Sequence, residues 1–150
     1  MSPLTATALR ATLHCLMGCA IGEVAGLAIG TALGWGTGPT MALAVALAFA
    51  FGYGLTGVGL VRSGLDLRLA AAVALAADTV SIAVMEVVDN VVMLTVPGAM
   101  GAGLGDGLFW GALAFALVVA FVAAVPVNRR LIARGRGHAA AHRHHGPHPA

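Results

Sequence analysis

The chain has 150 residues, 59% of them apolar and only 9% charged, and a mean hydropathy of +0.94. So few charges cannot cover a water-exposed surface, which excludes an ordinary soluble domain. The net charge of +2 sets eight basic residues, all arginine and gathered at a few positions, against six acidic ones, and gives no footing for nucleic acid.

A membrane span needs about 20 mostly apolar residues, and four stretches qualify, at about 11–35, 40–61, 69–96 and 107–127. They are punctuated by Gly34 to Pro39, by Arg62 to Arg68, and by Pro97 to Asp106 with its glycines. The fourth helix is expected to end at Pro126. The start of the chain is not expected to be a cleaved leader, because the apolar run Leu13 to Gly18 is short and is broken by His14 and Cys15. Helix one is therefore expected to be retained.

Arg10 precedes the first span, Arg62 and Arg68 separate the second from the third, and Arg129, Arg130, Arg134 and Arg136 follow the fourth. The two other connections carry no Lys or Arg. The positive-inside rule then sets both termini in the cytoplasm, with Trp35 and Trp110 at the outer interface. The expected architecture is an all-α, four-helix transmembrane bundle over residues 1–134, followed by a disordered, His-rich tail over 135–150. Its solvent is the lipid bilayer of a cytoplasmic membrane.

Polar residues gather in spans one and three. In "TLHCLMGCAIGEVAG", Cys15, Cys19 and Glu23 fall within about 80° of one another on a helical wheel, and share that face with Gly18, Gly22, Gly26, Gly30 and Gly34. His14 lies at its edge. Small residues at four-residue spacing let another helix approach closely, so this face points into protein. In "DTVSIAVMEVVDNVVM", Asp78, Met85, Glu86, Asp89 and Met93 occupy an arc of about 100°, and Val80, Val84, Val87 and Val91 form the opposite, lipid-facing stripe. Ser81 and Asn90 extend the polar seam. Spans two and four carry so little that is polar that they read as scaffold.

Depths counted from Arg10 and Arg68, at about 1.5 Å per residue, set Cys19 level with Asp78. They also set Glu86 and Asp89 level with Gly26 and Gly30, where helix one has no side chain and space is expected. Each ionisable group in a span costs about 2.5–3.5 kcal/mol, so Glu23, Asp78, Glu86 and Asp89 together ask for about 10 kcal/mol. That is comparable to the whole stability of a small domain. No basic residue lies in either span to pair with them, unless His14 reaches in. A bound cation or a proton relay is the alternative.

Cys15 and Cys19 stand about 5–6 Å apart at Cβ if helical, too far for a disulfide. With His14 they form a soft to borderline donor set suited to copper or zinc. The tail adds His138, His142, His144, His145 and His148, a tract that can capture metal within a Pro-, Gly- and Ala-rich segment expected to be disordered.

Three stretches, "HCLMGCAIGE" (14–23), "MEVVDNVVMLTVPGAM" (85–100) and "FWGALAFALVVAFVAAVPVNRRLIARGRGHAAAH" (109–142), resemble a bacterial membrane family catalogued as the domain of unknown function numbered 4396. The resemblance covers nearly the whole chain and implies a small four-helix membrane protein. It sets His14, Cys15, Cys19, Glu23, Glu86, Asp89, Asn90 and His138 at the family's motif positions, with no catalytic role attached.

The leading functional expectation is a transition-metal cation held at the seam, for transport or sensing. Its ligands are drawn from His14, Cys15, Cys19, Glu23, Asp78, Met85, Glu86 and Asp89, and the tail concentrates the ion. Four spans are few for a path, so a homo-oligomer or larger membrane complex is expected. Two further readings stand beside it: a redox enzyme or cofactor site using the two cysteines, and an assembly subunit whose glycine stripe packs on a partner.

Overall fold

The structure of the protein, a computed structural model, describes residues 1–134. The five tail histidines lie outside the described residues. The chain forms α1 (Pro3–Ala32), α2 (Thr37–Arg62), α3 (Leu67–Thr95), a 3-10 turn (Ala99–Gly101) and α4 (Gly107–Ala133). All four α-helices are long and apolar enough to cross a membrane, and the protein is a four-helix membrane protein.

Local chemistry sets the helix ends. Ser2 caps α1 by accepting from the Thr5 N–H, with Pro3 at the first helical position, where its missing donor costs nothing. Asp66 caps α3 through the Arg68 N–H at 3.0 Å. The α1 and α2 ends close alike: Trp35 N–H bonds Gly30 C=O at 2.8 Å, and Leu65 N–H bonds Leu60 C=O at 3.1 Å. Both closures need a left-handed residue, supplied by Gly34 (φ 67°) and Gly64 (φ 100°).

One helix extends beyond its expected membrane span, and another passes its expected end. α1 begins well before residue 11, at Pro3. α4 does not stop at Pro126 but runs through it to Ala133. A membrane helix tolerates the lost backbone bond where neighbouring helices support it, and here α1 and α3 pack against α4.

Neighbours in sequence are neighbours in space, and α4 returns to pack on α1, so α1 and α3 lie diagonally across the bundle. The most intimate pair is α1 with α2. A methyl group on Gly18, Gly22 or Gly26 would overlap the backbone of Gly52, Ala48 or Ala44, and one on Gly30 would strike the Thr40 side chain. The space expected beside Gly26 and Gly30 is therefore absent: α2 fills it. α4 presents Ala112, Ala116, Ala120 and Ala124 inward at four-residue spacing. Val80, Val87 and Val91 face outward as the wheel predicts, while Val84 is half-buried.

Candidate functional site

With glycine and alanine drawing the backbones together, the bundle's centre is left to the polar side chains of α1 and α3. The seam lies on the diagonal through the core, closed on one flank by α2 and on the other by α4. Asp78, Ser81, Met85, Glu86, Asp89 and Met93 of α3 and Cys15 and Cys19 of α1 are all buried, and Glu23 is half-buried.

Near the arginine-bearing end, Cys15 Sγ donates to Asp78 Oδ1 at 3.6 Å. The expected partner of Asp78 was Cys19, one turn further on. The offset follows from the helix starts: Arg10 stands two turns inside α1, whereas Arg68 stands at the beginning of α3. Counted from Pro3 and Leu67, Cys15 is twelve residues in and Asp78 eleven, so they are level.

Asn128 of α4 joins this level. Its amide donates to Thr12 Oγ1 of α1 and to Ser81 Oγ of α3, both at 2.8 Å, and Thr12 in turn donates to Ala8 C=O at 2.7 Å. One buried side chain thus ties three helices together. Neither Thr12 nor Asn128 stood out in the sequence reading, and α4 is more than scaffold. The missed signal was register, since Asn128 continues the buried stripe of Ala112, Ala116, Ala120 and Ala124. In α2, Thr56 likewise continues Ala44, Ala48 and Gly52, and its hydroxyl is buried with no partner among the described residues.

Toward the other end, Glu86 lies within electrostatic reach of Cys19 and Glu23, and Asp89 within reach of Glu23. Glu86 is 4% exposed and Asp89 1%. Both carboxylate oxygens of each, and Glu23 Oε1, are buried and receive no hydrogen bond among the described residues. Most buried polar groups in proteins are hydrogen-bonded, so such a cluster calls for a cause. Asn90 turns its amide back to Glu86 C=O at 2.8 Å and does not serve the carboxylates.

The seam leads into a cavity of about 340 Å³ at the tryptophan-bearing end. Glu23, Asn90 and Met93 line its deeper part, and Trp35, Met41, Met100 and Phe109 line it nearer the connecting segments. Met41 and Met100 were not singled out from sequence, because they sit at a helix start and in the 3-10 turn, outside the periodic faces.

The expected ligands are only partly brought together. Met85, Cys15 and Cys19 pack in one buried cluster, and both cysteines are free thiols. His14 goes elsewhere: it lines a separate groove between α1 and α2 with Arg10 and Thr56. Among the described residues, no three of His, Cys, Asp and Glu stand together so as to hold a metal ion.

A match to the family described as "Domain of unknown function (DUF4396)" spans residues 5–137, and the chain belongs to that family. No curated protein and no solved structure matches it.

Proposed function

We propose that this protein handles a cation, a transition-metal ion in the fuller form of the reading, at the polar seam that α1 and α3 build, for transport or sensing. The observation that supports it is the set of buried Glu86 and Asp89 oxygens with no donor among the described residues. Leaving charged groups in an apolar interior without partners costs several kcal/mol, and a bound cation or proton offsets that cost. Among the described residues no Lys or Arg lies within these spans to do so: there is no lysine, and no arginine lies between Arg68 and Arg129 or between Arg10 and Arg62.

The cavity gives the seam access from the end opposite the arginines. With both termini in the cytoplasm, as the arginine distribution argues, a cation from outside meets Glu23 first, then Glu86 and Asp89, then the thiols of Cys19 and Cys15. A proton relay along the same carboxylates is the second reading. The absence of three converging His, Cys, Asp or Glu side chains among the described residues favours it.

A redox enzyme and an assembly subunit have less to stand on. Cys15 and Cys19 are buried, out of reach of a soluble thiol or oxidant. The glycine stripe that an assembly partner would use is filled by α2.

The test is flux in proteoliposomes carrying a pH-sensitive and a metal-sensitive dye, with Glu86→Gln plus Asp89→Asn as the comparison. Metal flux lost in the variant supports the first reading, and proton flux lost without metal flux supports the second. Flux identical in both proteins would overturn the seam as a path.

A further inference from the structure

Resting on the cation reading above, the distribution of sulfur narrows the cation's class. The chain has eight sulfur side chains, six Met and two Cys. Met1 is terminal and Met17 is 52% exposed on the outer surface of α1. The other six gather in two groups along one path. Met41, Met93 and Met100, from α2, α3 and the 3-10 turn, line the cavity. Cys15, Cys19 and Met85 belong to one buried cluster of the core, with Ala48, Ile82, Ala120 and Ala124. Glu23, Glu86 and Asp89 come between the two groups in the order of the helices.

Donor chemistry separates the candidate ions. Zinc takes four ligands in structural sites and three protein ligands in catalytic ones, drawn from Cys, His, Asp and Glu. No such trio exists among the described residues. Calcium and magnesium take oxygen ligands and leave sulfur unused, whereas six of the chain's sulfur side chains stand along this path. Thioether and thiolate donors select soft ions of the copper(I) class. The methionine thioethers are donors of that kind as they stand, and Cys15 and Cys19 become so when the metal displaces their protons onto the carboxylates beside them, Asp78 for Cys15 and Glu86 for Cys19.

We propose that the cation is a soft monovalent metal of the copper(I) and silver(I) class, received at the methionine-lined cavity and passed to the Cys15, Cys19 and Met85 group in the core. The carboxylates between the two groups supply the negative charge that makes passage of a bare cation through the bundle tolerable. The methionines are the soft donors nearest the outer end of that path. Here three separate elements each bring one to the same cavity.

Silver(I), which is redox-inert, is the probe, and the full-length protein in detergent is titrated with it. Trp110→Phe leaves Trp35, a lining residue of the cavity, as the single tryptophan. Silver should quench Trp35 fluorescence and raise the ultraviolet sulfur-to-metal charge-transfer band of the inner thiols. Met41→Leu with Met93→Leu and Met100→Leu should weaken the quenching about tenfold or more, a change of about 1.4 kcal/mol in binding. Met100→Leu alone, in the 3-10 turn, should weaken it about threefold and serves if the triple variant does not fold. Cys15→Ser with Cys19→Ser should remove the ultraviolet band and leave the quenching. Quenching unchanged by the methionine substitutions, or produced equally by zinc(II), would overturn the proposal. If silver does not bind but another cation's flux still depends on Glu86 and Asp89, the soft-metal class falls and the seam stands. If silver binds as described and flux ignores Glu86 and Asp89, the seam falls alone.

Discussion

The two sides of α1 solve opposite problems. Against α2, Gly18, Gly22 and Gly26 bring backbone onto backbone so closely that no side chain fits between. Toward α3, across the diagonal, Cys15, Cys19 and Glu23 reach into a centre where the Glu86 and Asp89 oxygens receive no hydrogen bond among the described residues. Along those three glycines the first contact is backbone on backbone, with no polar side chain between. The second is polar and incomplete. Association of membrane helices rests on close packing and not on hydrophobic burial, so the α1–α2 contact carries stability while the diagonal carries groups that stability alone would not select.

Gly22→Leu should break the comparison on the packing side and have the largest effect. Its side chain would meet the Ala48 backbone, which cannot move as a flexible side chain does. A loss of about 3 kcal/mol is expected, the upper end for overpacking. The buried thiols Cys15 and Cys19 supply the readout, since a thiol-reactive dye labels them as the bundle melts. A melting curve like the parent's would show that the close approach carries nothing.

Glu86→Gln with Asp89→Asn tests the opposite side. An amide brings donors of its own and no charge, so the melting temperature should hold or rise, by up to about 2 kcal/mol of stability, while cation flux disappears. A marked loss of stability would make the seam a structural network, and the contrast between the two sides of α1 would go with it. Asn128→Leu should cost about 1 kcal/mol, within the range of interhelical hydrogen bonds in membranes. Coupling to Ser81→Ala in a double-mutant cycle isolates the α3–α4 bond from the packing change.

The four helices, and the clustering of polar groups on α1 and α3, were legible because each rests on a strong local signal: an apolar run or a 100° periodicity. Which helix α1's glycines would meet was not. A wheel ranks residues by direction, and Gly26 and Asp89 share a depth without sharing a contact, since α1 and α3 are diagonal and α2 lies against the glycines. Depth failed by one turn at Cys15 and Asp78 because Arg10 and Arg68 stand at different distances from their helix starts. Asn128 was obscured by Pro126, which argued for a helix end two residues before it. The cavity depended on Met41 and Met100, whose meeting is a product of tertiary packing that no single segment encodes.

The smallest effect is predicted for a polar contact at the bundle's rim. Tyr53 Oη of α2 and Thr79 Oγ1 of α3 lie 2.8 Å apart where the groups are exposed. Thr79 already donates to Leu75 C=O, so the tyrosine is the donor and the threonine keeps its own bond when the phenol is lost. The Tyr53 ring also packs on Phe49, with centroids 5.7 Å apart, and phenylalanine keeps that contact. Tyr53→Phe should therefore change stability by only about 0.5 kcal/mol, near the average for side-chain hydrogen bonds between membrane helices. A loss above about 1 kcal/mol in the dye-labelling melt would put the α2–α3 hydrogen bond on a level with the buried Asn128 network. The division between a packed α1–α2 contact that holds the bundle and polar groups kept for another purpose would then no longer describe the molecule.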